Sequence, residues 1–125
     1  MTRINVVPVD ELTDKHLVAE YRELPRIFAL VKNRQDKGET SATLNNPNAY
    51  TLGKGHVLFF YDKLYYLIDR YQELCNEMRT RGFTVNFPDV PDFVWSLDKD
   101  WLGEYEPTED ALGINRARIK ERLSI

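Results

Sequence analysis

TDKHLVAEYRELPRIFALVKNRQDK, residues 13–37, decides the fold. Its apolar side chains Leu17, Tyr21, Leu24, Phe28 and Val31 recur at spacings of 4, 3, 4 and 3, which lays one stripe along a helix. Thr13 or Asp14 is a natural cap for the first free amides, and Gly38 a natural stop. Pro25 interrupts the pattern. It has no N–H for the ladder and its ring crowds the preceding turn, so the helix is expected to bend near residues 21–25.

The same period recurs twice further on. A second helix is expected from about Asp62 to Gly82, with Leu64, Ile68, Tyr71, Cys75 and Met78 on its buried side. A third starts near Thr108, after Pro107, and carries Leu112, Ile119 and Leu123. The Gly- and Asn-rich residues 37–55 read as an irregular connection, and residues 83–107, with three prolines and the aromatics Phe87, Phe93, Trp95, Trp101 and Tyr105, as an ordered loop without repeat. HVLFFY (56–61) has the composition of a strand but no partner to pair with, so it reads as a buried lead-in to the second helix. The expected architecture is all-α, a single compact domain over residues 1–125 with three helices and long irregular connections.

A chain of 125 residues suits one core, and 42% hydrophobic with 30% charged residues is a globular composition. No apolar run approaches the roughly 18 residues that would span a bilayer, and MTRINVVPVDEL places acids where a signal peptide is apolar. The lone Cys75 excludes an internal disulfide and a multi-cysteine zinc cage. These features predict a cytoplasmic protein with no membrane contact, no metal and no cofactor. The net charge of −3 hides an uneven distribution. Residues 1–82 hold 12 basic and 11 acidic side chains, residues 83–112 hold 1 and 8, and residues 113–125 hold 4 and 1. The deficit is confined to one loop-rich segment, and local clusters rather than the total decide what binds.

At about 100° per residue, Lys15, Arg22, Arg26 and Lys37 fall within about 60° of one another on the first helix, opposite the apolar stripe. Glu23 and His16 lie on the edge of that face, about 100° and 120° from Arg22. Such a face is either solvated and laced with ion pairs or a grip for phosphates, to which guanidinium forks are well matched. Thr2 follows Met1, and a small second residue permits removal of the initiator methionine. A freed α-amine, with pKa about 7.7–8.0, is partly unprotonated at neutral pH and can form an imine with an electrophilic carbon. His56, beside an apolar run, reads as a buried hydrogen-bonded histidine rather than a base. Trp95 and Trp101 either complete the core or stack on bases. Arg116, Arg118, Lys120 and Arg122 form a basic C-terminal helix, either solvated or in contact with phosphates.

MTRIN (1–5), HLVAEYRELPR (16–26), LGKGHVLFFYDKL (52–64) and RGF (81–83), with weaker stretches at GEYEP (103–107) and Ala117-Arg118, resemble the pyrimidine-dimer DNA glycosylase family. The resemblance runs over almost the whole chain. It implies an all-α enzyme without cofactor that works as a monomer on double-stranded DNA carrying ultraviolet lesions. Such an enzyme removes the 5′ base of a cyclobutane pyrimidine dimer and nicks the strand by β-elimination at the abasic site. It further implies that the Thr2 amine is the nucleophile and Glu23 the essential carboxylate. Arg3, Arg22 and Arg26 then hold phosphates, His16 lies near the site, and Arg118 is a basic residue of the last helix. The family kinks the duplex and extrudes the adenine opposite the lesion. Two other readings stay open: a lesion-binding protein whose catalysis has lapsed, and a lyase acting mainly on abasic sites or other damaged bases.

Overall fold

A computed structural model of the protein describes residues 3–44 and 46–123, with side chains through residue 122. Its α-helices are α1 (Asp14–Glu23), α2 (Pro25–Asp36), α3 (Leu64–Thr80) and α4 (Glu109–Leu123), and the described residues contain no strand. The bend expected at Pro25 is a division of the first helical stretch into α1 and α2. Leu24 still donates to the Glu20 carbonyl (2.9 Å), but Pro25 has no N–H with which to continue and becomes the first residue of α2. Thr13 caps α1, its hydroxyl oxygen accepting the His16 N–H at 3.3 Å. The stop glycines Gly38 and Gly82 both take positive φ, +85° and +86°, which closes the helix ends without a Cβ clash.

α1 packs on α3, and the core is continuous through Leu17, Leu24, Phe28, Leu67, Leu74 and Trp101, all fully buried. Burying each such side chain favours the fold by about 1.5–3 kcal/mol before entropy is counted. Residues 56–61 form the lead-in expected of them, a 3-10 turn at Leu58–Phe60 that buries both phenylalanines. α3 opens at Leu64 with no side-chain cap, and the carbonyl of Gly103 instead accepts the N–H groups of Tyr65 (3.1 Å) and Tyr66 (3.3 Å). The segment between α3 and α4 is irregular, with 3-10 turns at Asp92–Ser96 and Lys99–Trp101. Trp101 completes the core. Trp95 does not: it is 59% exposed because its neighbour Val94 takes the inward side of the same turn.

On α4 the inward residues are Ala111 and Asn115, whereas Leu112 and Ile119 are only partly buried. Thr108 caps this helix through the Ala111 N–H (3.0 Å). No helix of the described residues is long and apolar enough to cross a membrane. Among the same residues, no three His, Cys, Asp or Glu side chains converge as a metal site.

Candidate active site

The N-terminal segment has no regular structure, so each of its peptide groups needs a partner from elsewhere. Side chains from the rest of the fold supply them. The Ile4 N–H donates to His56 Nε2 (2.9 Å), and the Ile4 carbonyl accepts from the Tyr50 hydroxyl (3.0 Å). Val6 and Val7 both donate to Asn115 Oδ1, at 2.6 and 3.1 Å, and the Val7 carbonyl accepts from Arg70 Nη1. His56 Nδ1 lies 2.8 Å from the Thr51 carbonyl. It must carry the ring proton there, which leaves Nε2 as the acceptor for Ile4. Burial above all lowers the pKa of His56, with the charge of Arg3 adding to the effect, so the ring stays neutral as this bond requires.

Beneath the segment lies a buried ion pair. Glu20 and Arg70, 1% and 3% exposed, meet fork to fork, Nε to Oε2 at 2.8 Å and Nη2 to Oε1 at 3.0 Å. Burial alone would lower the Arg70 pKa, but the Glu20 carboxylate outweighs it and raises the value. Asn5 donates to Glu20 Oε1 (2.8 Å) and accepts from Asn115 Nδ2 (2.8 Å). One chain of bonds thus joins α1, α3 and α4 to residues 5–7.

This anchoring brings the Arg3 N–H to within 3.2 Å of Glu23 Oε2. Thr2, the expected nucleophile, lies outside the described residues. Arg3 is half-buried and its pKa is lowered by burial, then by Arg118 and Arg122. His16 is lowered by partial burial, then by Lys15, Arg3 and Arg122. Arg3, His16, Arg118 and Arg122 therefore share one cationic neighbourhood built from the N-terminal segment, the first turn of α1 and the far end of α4. Arg3 Nη1 and Arg118 Nε are buried with no hydrogen-bond partner among the described residues. A charged donor left unmatched is costly, which is the condition of a site made for an oxyanion. Not every cation is free. Arg116 holds Glu11 with both forks (2.8 and 3.0 Å), and Arg118 also reaches Glu121 at 3.3 Å.

Arg22, next to Glu23 in sequence, lines a cleft of about 530 Å³ with Tyr21, Pro25, Tyr71, Asn86, Phe87 and Asp89. The Tyr21 and Tyr71 rings stack at 5.8 Å between centroids. The Tyr21 hydroxyl accepts the N–H groups of Asn86 and Phe87, both at 3.1 Å, and the Tyr71 hydroxyl donates to the Phe87 carbonyl. The backbone of residues 86–87 is thereby pinned while the Phe87 ring stands 73% exposed. Arg22 and Arg26 are exposed and make no ion pair among the described residues. Among the described residues, no hydrogen bond or ion pair joins Arg26 to the Arg3 cluster.

Sequence reading missed the buried pair and both asparagines. A signal existed: Glu20 lies 3 after Leu17 and 4 before Leu24, and Arg70 lies 3 after Leu67 and 4 before Leu74, on the spacings of the core. Charges there must find each other. Asn5 and Asn115 left no comparable mark.

An all-α domain in which Arg3 and Arg118 keep open guanidinium donors in one cationic neighbourhood falls in the class of helical proteins with a clustered basic face. More narrowly, the chain belongs to the pyrimidine dimer DNA glycosylase family, whose model matches residues 1–90. DNA is accordingly its substrate class. The match covers α1, α2, α3 and the lead-in turn and stops before α4, which supplies Asn115, Arg118 and Arg122.

Proposed function

We propose that this glycosylase is also an abasic-site lyase, that it acts on cyclobutane pyrimidine dimers in ultraviolet-damaged duplex DNA, and that Thr2 and Glu23 carry the chemistry. The observation that supports this best is the 3.2 Å bond from the Arg3 N–H to Glu23. That nitrogen is the amide formed with residue 2, so the carboxylate sits one peptide from the α-amine that removal of Met1 exposes. Departure of the 5′ base builds positive charge on the sugar, and the carboxylate stabilises it. The amine attacks C1′ as the glycosidic bond breaks, the base leaving with the bonding pair. Ring opening then breaks C1′–O4′, puts a proton on O4′ and leaves a protonated imine. The imine acidifies C2′, and Glu23 or a water it orients takes that proton. Elimination breaks the C3′–O bond, the 3′ phosphate leaves, and water hydrolyses the imine to return the amine.

Arg3, Arg22, Arg26, Arg118 and Arg122, with His16, hold the backbone without reading sequence, which suits a lesion found in any context. The cleft beside Arg22 is of a size to receive the base extruded opposite the lesion. Borohydride treatment of processed protein on irradiated DNA tests the reading, since only an imine becomes a covalent adduct. Adduct is expected with the wild type. Glu23→Gln is expected to keep lesion affinity and lose base excision by about 10²-fold or more. Full excision by that variant would remove Glu23 from the mechanism, and an adduct-free wild type would remove the amine.

A further inference from the structure

We propose that Asn115 is a positioning residue that registers the N-terminal amine against the DNA backbone held by α4. The proposal rests on the amine chemistry above. Asn115 is fully buried, and its one amide makes three bonds to the segment that ends at the amine. Oδ1 takes the Val6 and Val7 N–H groups at 2.6 and 3.1 Å, and Nδ2 donates to Asn5 Oδ1 at 2.8 Å. Asn5 is seated in turn on the Glu20–Arg70 pair, so the segment is held by α4 and by α1 and α3 together.

On α4, Arg118 and Arg122 follow Asn115 by three and seven residues, the spacing of one helix face. Both lower the pKa of Arg3, which places their charges near the residue next to the nucleophile. A phosphate drawn to those arginines fixes α4 relative to the strand, and Asn115 carries that placement to residues 5–7. Preorganisation of this kind is sensitive to small shifts, because a displacement of about 1 Å can cost about 10²-fold in rate. A hydrophobic residue at 115 would leave two buried N–H groups unmatched, and a shorter hydroxyl would not span all three bonds.

The test is single-turnover borohydride trapping on irradiated DNA, with lesion affinity measured in parallel. Each variant is assayed at the same interval below its own Tm. Asn115→Ala is expected to slow trapping about tenfold or more with Kd unchanged within about twofold. Val31→Ala, a core deletion on α2 outside this network, should trap like the wild type at matched temperature. If Asn115→Ala does not fold, Asn115→Gln, which displaces the clamp by about one methylene, takes its place with the same tenfold expectation. Trapping by the Ala or Gln variant at the Val31→Ala rate would overturn the positioning role, as would a loss of affinity equal to the loss of rate. A wild type that forms no adduct would instead overturn the amine chemistry on which the proposal rests.

Discussion

Two groups of side chains, one beneath the N-terminal segment and one outside it, are treated oppositely. Beneath it, Glu20, Arg70, Asn5, Asn115 and His56 are buried and bonded to one another or to backbone. Outside that group, Arg3 and Arg118 keep buried donors without partners among the described residues, Arg22 and Arg26 stand in solvent, and Phe87 is left exposed on a pinned backbone. The first group uses up its hydrogen-bonding capacity to hold the chain in one place. The second withholds that capacity, and a phosphate or a base can claim it. Rigidity and readiness are thus kept in separate sets of residues, which come within two positions of each other at Arg3 and Asn5.

Removing one member of the inner group should have the largest effect. Glu20→Ala strands the Arg70 charge in the core and is expected to cost about 3–5 kcal/mol, read as a fall in the urea midpoint. A cost below about 1 kcal/mol would break the contrast, because the pair would then behave like a surface salt bridge. The outer group should respond the other way round. Phe87→Ala is expected to leave stability within about 0.5 kcal/mol. Lesion-DNA binding should weaken by about 1–3 kcal/mol, the worth of one stacked base. A stability loss larger than the affinity loss would return Phe87 to the fold.

The two histidines sharpen the comparison, because both are lowered but one bears on stability and the other on binding. His56 is held below its ordinary value of 6.5 by burial, so the unfolded chain takes up a proton that the folded one refuses. Its contribution is complete above pH 6.5 and is lost as pH falls from there towards the lowered pKa, at no more than about 1.4 kcal/mol per pH unit. Tm measured from about pH 8 to 5 should fall on the acid side, and His56→Gln should flatten the curve. His16 is also lowered, by partial burial and by Lys15, Arg3 and Arg122. A phosphate seated on those cations reverses their effect and raises the His16 pKa, so binding takes up protons. At constant salt, DNA affinity should therefore rise between about pH 8 and 6, and His16→Gln should remove the rise. An affinity that falls with acid would place His16 away from the phosphates.

Much of this was legible in the residues. Leu17 to Val31 marked the first helical stretch, Pro25 its break, Gly38 and Gly82 the stops, and the flanks of His56 its burial. The cationic face of α1 could be read from spacing, although spacing alone left open what it grips. Trp95 shows where local reading fails, since composition does not say which of two neighbouring apolar residues a 3-10 turn sends inward. The cleft was not foreseen either, because it forms where Tyr21 on α1 meets Tyr71 on α3 and both hold residues 86–87.

Periodicity alone determined where the helices lie, because a repeat of about 3.6 residues is a property of consecutive residues. The meeting of Asn5 with Asn115 across 110 positions, of Glu20 with Arg70 across 50, and of Arg3 with Glu23 across 20 was decided only by the tertiary structure. Those pairings depend on which helix faces are pressed together and how far apart, and a buried polar group settles on whichever partner that packing brings within reach.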